Sequence, residues 1–495
     1  MEKELYYDVL VVGGGNAALC AASSAHEHGA KVGVLEKAPK NERGGNSTMT
    51  AHMRFAYNSV DDLIPLIPNI TQEEIEWVNE RLPRRTEADL WDELMRATQG
   101  QSDPELLKVH VRESYNTILW LHAMGHNWVT DVGNPTAANT TKMEGGGYGL
   151  QQRHFTFLEQ KGVAFHYETT ATELIQDSKA KVVGVKALSP QGPVTIRAGA
   201  VVLACGGFEA NPEMRGRYLG PNWDTVKNRG VKFNTGDGLR MALDIGAMSH
   251  GSWTSCHASP QDINRAECTW PSEKSEGGRE MNRYAYPFCV MVNIHGQRFV
   301  DEGEDVRGLT YAKMGRAIIA QPGGKAFQFF DAKHRRFGIL SVYDKYNATG
   351  TKADTLEELA DKYGIEKEGL LETIRTFNAA IQPGPMNPNP LVKDGKHTAG
   401  ITPPKRNFAY SIEEPPFECY PAICGITFSF GGLKVDPTTS QVQHVAGRPI
   451  PGLYTAGEML GGLWHWSYAS GSGMMAGATF GRIAGKHAAK EALGK

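Results

Sequence analysis

Apolar residues along this chain fall into short runs broken by glycine clusters. The first run, Val9–Val12, stops at Gly13-Gly14-Gly15; small residues follow from Ala17 to His28, and a second run spans Lys31–Leu35 before Glu36. That order predicts a buried strand, a glycine turn, a helix and a second strand. Over residues 68–135 apolar positions recur every three or four residues, which predicts helices. Thr71 and Glu74 form a capping box for one of them and Gly125 stops another. Their His and Trp residues read as packing rather than as ligands. Residues 162–188 and 192–208 read as short strands with turns, the last run entering Ala204-Cys205-Gly206-Gly207. Gly236-Asp237-Gly238 opens a helix, and "VMVNIHGQRFVDE" reads as strand, turn at His295-Gly296, strand. Residues 354–381 read as helices and 383–405 as a Pro/Gly-rich loop. A last strand ends at Thr455-Ala456-Gly457-Glu458, and Gly471-Ser472-Gly473 opens a final small-residue helix.

Composition narrows this picture. At 495 residues the chain is too long for one compact core, so two or more domains are expected. A net charge of −3 gives no reason to expect nucleic acid or an anionic membrane surface as a partner. The seven cysteines include no C-x-x-C pair and their number is odd, so no disulfide framework is expected and a reducing cytoplasm is the simplest location. The N-terminus lacks a basic n-region, and no apolar run approaches the ~18 residues of a membrane span.

The first strand–turn–helix carries chemistry. Gly13, Gly15 and Ala18 stand at the spacing G-x-G-x-x-A. Gly13 permits the turn, Gly15 lets a pyrophosphate approach the backbone, and Ala18 lets the helix sit close to the strand. The helix start at Asn16 and Ala17 offers free N–H groups and a positive dipole end to phosphates. Glu36, followed by Lys37, lies about 20 residues beyond the glycines, where a carboxylate accepts hydrogen bonds from a ribose diol. That carboxylate argues against a 2′-phosphate, and so against NADP, but does not separate NAD from FAD. The loop Arg43-Gly44-Gly45-Asn46-Ser47 can cross the pyrophosphate and run beside a flavin. No second G-x-G-x-x-G follows a strand, so no separate NAD(P)H domain is expected.

With these motifs the whole chain resembles the flavoprotein family of fumarate reductase and succinate dehydrogenase, nearest the tricarballylate dehydrogenases and more remotely the 3-ketosteroid dehydrogenases. The resemblance implies an α/β fold: a Rossmann-like FAD-binding domain of the glutathione-reductase type, with an inserted α+β capping domain. Expected boundaries are 1–250 and 426–495 for the FAD-binding domain and 251–425 for the cap. Covalent members attach FAD to a histidine where this chain has Asn46, so non-covalent FAD is expected. Ala204, Gly206 and Gly207 match the family's A-T-G-G segment near the adenine-side phosphates, with Cys205 in place of threonine. Gly236 and Asp237 are expected beside the flavin, Gly457 and Glu458 at the ribityl chain, and Gly471, Ser472 and Gly473 at the flavin edge.

In the cap, His257 aligns with a histidine that binds a substrate carboxylate. Arg307 matches the proton-donating arginine; its bland alternative is an ion pair with Glu304 or Asp305. A guanidinium donates far more readily than it accepts, so Tyr286, Tyr311 and Tyr468 are rival acid/base candidates. The chain departs from fumarate reductases at two clamps: Thr427 and Phe428 replace a histidine pair, and Tyr468 replaces an arginine. Trp464, His465 and Trp466 are candidate pocket residues, with core packing an equal reading for the tryptophans. The implied activity is FAD-dependent oxidation or reduction of a CH–CH bond next to an activating group. A tricarballylate-like polycarboxylate is the first substrate expected; a larger cyclic ketone or enone, and a non-catalytic flavin redox partner, are the alternatives. A separate electron donor or acceptor, such as a membrane or iron–sulfur protein, is implied.

Overall fold

The apolar runs Val9–Val12, Val32–Leu35 and Val201–Leu203 lie side by side as parallel strands, with Leu453–Thr455 and Ala164–His166 continuing the sheet on either side. The structure, a computed structural model, describes residues 4–82, 84–132, 140–268 and 281–495. Parallel strands buried on both faces read as unbroken apolar runs rather than as alternation, which is the pattern here. Strands Thr170–Gln176 and Val182–Ser189 extend this eight-stranded sheet as an antiparallel flap.

The helices Asn16–Glu27 and Ser472–Ala492 pack against each other over the sheet. Their contact is unusually close. A Cβ on Gly481 would sit 2.4 Å from the Ala17 carbonyl oxygen, and one on Gly485 2.1 Å from that of Ala21. The small residues of the last helix therefore serve a helix–helix seam along most of its length, and only its N-terminal part, as far as Gly477, opens toward a ligand.

A second sheet of six strands centres on the long strand Phe417–Ser429. Lys325–Phe330, Cys256–Asp262 and Thr351–Ala353 pair with it antiparallel, and Lys227–Asn228 pairs with it parallel. The helix Arg307–Ile319 packs on the Cys256–Asp262 strand. The expected hairpin at His295-Gly296 is corrected: Val290–Val292 is a strand, but its return leg is reduced to a single bridge between Val292 and Arg298. Arg298 turns inward instead. Its Nη2 donates to Glu302 Oε2 at 2.6 Å, and Glu302 Oε1 accepts from the Met291 N–H at 2.9 Å. This buried ion pair anchors the loop that leads to Arg307.

The helices expected over 68–135 are Gln72–Arg81, Glu87–Ala97 and Pro104–Ala123, and the Thr71/Glu74 capping box is formed. Those expected over 354–381 are Leu356–Tyr363 and Lys367–Ala380.

Candidate active site

A continuous cavity runs from the Gly13–Gly15 turn to the seam between the two sheets. At the turn, Gly13 has φ +116° and donates its N–H to Leu35 O at 2.7 Å; a Cβ there would sit 2.3 Å from Ala204 O. Gly14, which the G-x-G-x-x-A spacing leaves as a free position, is equally constrained: a Cβ would meet Glu36 Oε2 at 2.2 Å. The acid can occupy its place only because position 14 has no side chain.

The two packed helices open their N-termini onto the cavity. Asn16 joins them, taking its own N–H to Ser47 Oγ at 3.0 Å and its Nδ2 to Met474 O at 2.9 Å. Free helix N–H groups beside a glycine cradle are what a pyrophosphate and an electron-rich ring edge require, so the residues present fit FAD. Ala17, Gly45, Asn46, Ser47, Ala204, Gly206, Asp237, Gly457, Glu458, Gly471 and Gly473 all stand on the wall.

Glu36 is buried on the wall, and burial pushes its carboxyl up to about 7. A ribose diol donates to an ionised carboxylate better than to a protonated one, so FAD binding must expel any proton held there. FAD affinity should therefore fall as pH drops below 7, by up to about tenfold per pH unit, and level off above it. Isothermal titration of the apoprotein with FAD from pH 8 to 6 checks this; Glu36→Gln should flatten the profile.

Several residues expected in the cofactor set stand off the wall. Arg43 is not on the wall. Its guanidinium stacks 4.0 Å from the Phe155 ring and donates to Glu159 at 2.7 Å and to the Tyr167 hydroxyl at 2.5 Å, bracing the loop from behind. Gly44 turns that loop and also lies off the wall, as do Ala18, buried in the helix seam, and Ser472, buried in the first turn of the last helix. Gly207 and Gly236 bond to each other behind the wall, Gly236 N to Gly207 O at 2.9 Å. Lys37 lines the cavity, but its ammonium is held by Asp237 at 2.8 Å and Thr235 at 2.6 Å.

Beside the flavin cradle, Asn46 is locked by three hydrogen bonds. Nδ2 donates to Glu209 Oε1 (2.6 Å) and Thr427 O (2.8 Å), and Oδ1 accepts from Val231 N (2.8 Å). Glu458 Oε1 accepts from the Ser429 N–H (2.6 Å) and Oγ (2.9 Å). Glu209, which no motif marked, is fully buried; burial and the facing Glu458 carboxyl push it well above the usual carboxylate range. Burial pushes Glu458 up as well.

At the other end the wall is aromatic. Tyr311 donates to Tyr468 at 3.0 Å, and the His257 ring lies 4.9 Å from Tyr311 and 5.0 Å from Tyr468. Phe428 stacks on Tyr468 at 6.0 Å with 12° between the planes. Burial pushes Tyr311 and Tyr468 above the ordinary phenol range. Burial and the Arg229 charge drive His257 down to about 3, so it is neutral. The tyrosines are therefore O–H donors rather than the tyrosinate bases considered from sequence.

Tyr286 is corrected as a rival. It is fully buried off the wall, with its hydroxyl 2.5 Å from Thr310 Oγ1. Trp464, His465 and Trp466 are also off the wall. Trp464 backs Tyr468 edge-on at 5.7 Å. Trp466 adopts φ +63°, is 42% exposed, and lies 5.5 Å from the Arg316 guanidinium; His465 packs on it at 5.2 Å. That left-handed turn swings both rings outward, while the buried Ser467 pins the chain by donating to Leu309 O at 3.0 Å.

Arg307 heads its helix, half-buried, with its guanidinium 5.9 Å from the ring of Tyr284, and Tyr284 is on the wall. Of the two acids named as its alternative partners, Glu304 pairs with Lys313 at 2.6 Å and Asp305 with Arg96 at 3.1 Å. Sequence reasoning also missed Tyr284 and Arg229. Arg229 Nη1 donates to Thr427 Oγ1 at 3.1 Å, on the same wall as His257. Its only sequence signal is a lone arginine seven residues before the Gly236 turn.

Comparison with known proteins agrees with this geometry. The family described as FAD binding domain matches residues 8–57 and 77–474. The chain belongs to that family. It is 29% identical to a fumarate reductase (cytochrome) from Shewanella frigidimarina, over 98% of this chain and 77% of that protein. It is 28% identical to a vinyl phenol reductase from Lactiplantibacillus plantarum, over 99% of this chain and 98% of that one. Among solved structures, the open conformation of a flavocytochrome c3 fumarate reductase superposes with a TM-score of 0.72 at 26% identity, covering 99% of this chain and 79% of that chain. The fold is thus the α/β FAD-binding architecture with a capping domain, and the protein is an FAD-dependent oxidoreductase.

Proposed function

We propose that the protein transfers hydride to or from a carbon–carbon bond conjugated with an electron-withdrawing group, using non-covalently held FAD. The observation that carries this reading is one cavity joining the FAD cradle to a chamber walled by His257, Tyr311, Phe428 and Tyr468, with Arg229 at its side. FAD, when bound, supplies the two-electron carrier that exchanges hydride with one substrate carbon. The chain supplies the rest. Glu36 holds the ribose and the two helix N-termini hold the phosphates and the flavin edge. The aromatic wall lays the substrate flat and excludes water. Arg307, off the wall itself but 5.9 Å from the ring of Tyr284 that is on it, is assigned the proton given to the neighbouring carbon. Asn46 carries an amide where attachment would need a nucleophilic ring nitrogen, which favours release of FAD by denaturation.

A tricarballylate-like polycarboxylate would present three charges to the chamber. Among the described residues, the wall carries Arg229 without a carboxylate partner, while Lys37 is paired with Asp237. That balance favours a substrate with a flat body over a polycarboxylate. Electrons then come from or go to a separate partner protein or small donor.

Two measurements test the proposal. Anaerobic holoprotein reduced with dithionite should be reoxidised by one of a panel of conjugated acids, enones and polycarboxylates; a flavin that no organic compound reoxidises or bleaches would overturn it. Acid precipitation should leave the flavin in the supernatant.

A further inference from the structure

Arg229 is not itself one of the clamp positions Thr427, Phe428 and Tyr468, but it is bonded to the first of them. It follows the short strand Lys227–Asn228, which pairs with Gly425–Ile426 of the long cap strand. Its own N–H donates to Ile426 O at 2.7 Å, so the side chain departs from a fixed point next to Thr427 and Phe428. Nη1 donates to Thr427 Oγ1; Nε is buried and has no partner among the described residues. Across the wall, His257 is 2% exposed and its Nδ1 is likewise buried without a partner. Two nitrogen-bearing groups thus share one chamber with unmet hydrogen-bonding capacity, and one of them carries a permanent positive charge. Buried donors left unpaired are expensive, and a guanidinium without a counter-ion more so. Thr427 answers with a neutral oxygen only. The remaining walls, Tyr284, Tyr311, Phe428 and Tyr468, offer rings and hydroxyls but no carboxylate.

Building on the redox reading above, we propose that Arg229 is the carboxylate anchor of the substrate, with His257 beside it, and that the substrate class is a flat, conjugated monocarboxylate. The anion supplies the missing partner for the guanidinium. The stacked Phe428–Tyr468 pair then receives the planar remainder. One carboxylate suffices for one cation unpaired among the described residues, and among those residues a second or third would find no further unpaired cation on the wall.

The test uses the oxidised holoprotein with no reductant and reads binding from the change in flavin absorbance. Cinnamate is the probe, with its neutral amide and the tricarboxylate cis-aconitate as comparators. Wild type should bind cinnamate at least tenfold more tightly than cinnamamide. Arg229→Gln should lose at least tenfold in cinnamate affinity with its FAD content unchanged and little effect on cinnamamide, and Arg229→Lys should recover part of the loss. Equal affinity of wild type for acid and amide, or no binding of either, overturns the proposal. So does cinnamate binding left intact in Arg229→Gln. Tighter binding of cis-aconitate than of cinnamate overturns the substrate class. Loss of FAD from both variants, or a shifted flavin midpoint potential in Arg229→Gln without substrate, assigns Arg229 to the cofactor and overturns its role as an anchor. Because binding is read without turnover, carboxylate binding without reoxidation of the reduced flavin would sink the redox reading and leave the anchor standing.

Discussion

Replacing Arg307 with alanine should leave a folded protein with its full complement of flavin and lower turnover on any accepted substrate by about 10²–10⁴-fold, the range for removing a positioned proton donor. The flavin should stay because the cradle is built from the Gly13–Gly15 turn, Glu36 and two helix N-termini, and the one bond from the Arg307 helix to that region, Ser470 N to Gly308 O at 2.9 Å, is made by backbone that alanine at 307 keeps. The fold should hold because the loop before Arg307 is anchored elsewhere. Arg298 and Glu302 bond to each other beneath it, and Asn407 Nδ2 donates to Gly303 O at 2.8 Å. The competing donors are the hydroxyls of Tyr311 and Tyr468, 3.0 Å apart on the wall. Burial holds both phenols protonated, so either could supply a proton, but each would leave a phenolate in a dry chamber. A guanidinium is charged before it donates and creates no buried anion. Tyr468→Phe should therefore cost turnover much less than Arg307→Ala. Stopped-flow reoxidation of the reduced variants separates the two. Unchanged turnover in Arg307→Ala would remove that residue from the mechanism, and a larger loss in Tyr468→Phe would move the role to the tyrosine pair.

The parts of this site that the sequence shows plainly are those built from neighbours in the chain. The Gly13–Gly15 turn, the helix at Asn16 and the acid at Glu36 are one local unit, and periodicity and turn chemistry suffice to read it. The family resemblance then supplies the return segment at Gly457–Glu458. What stays hidden depends on distant pairing. Arg229 meets Thr427 only because a two-residue strand docks on Gly425–Ile426 nearly two hundred residues later. Glu209 meets Asn46 and Glu458 from three separate segments. The Trp464–Trp466 cluster misleads for the opposite reason. Its composition suits a pocket wall, but one left-handed residue at Trp466 decides which way the rings face, and no pattern of residue types marks that. Only Tyr468, two residues on, reaches the chamber. Small residues in the last helix carry the same ambiguity: Gly477 lines the cavity, while Gly481 and Gly485 seat the first helix.

Two buried histidines off the cavity wall should each make this protein less stable as pH falls. His110 is fully buried on the Pro104–Ala123 helix, edge-on to Trp464 at 6.1 Å, and neither ring nitrogen has a partner among the described residues. His126 is buried beside His154, ring centres 4.9 Å apart, and it too lacks partners. Burial lowers both His110 and His126 to about 4, with the Arg153 charge adding to the effect on His126. An unfolded histidine titrates near ~6.5, so the unfolded chain takes up protons that the native state refuses. The stabilising contribution is present above about 6.5 and is lost as pH falls toward 4, at roughly 2 kcal/mol per histidine between pH 7 and 5. Buried acids work against this. Glu36 and Glu209 are raised on folding, so their protonation favours the native state over the same interval. Whole-protein melting therefore mixes opposite signs, and the informative quantity is a difference between variants. The double variant His110→Leu/His126→Leu changes the histidine contribution and leaves the acids alone. Measured by urea unfolding at both pH values, wild type should lose roughly 4 kcal/mol more than the double variant on going from pH 7 to 5. The same pH dependence in both proteins would show that these rings accept protons without unfolding, and that their burial does not govern acid stability.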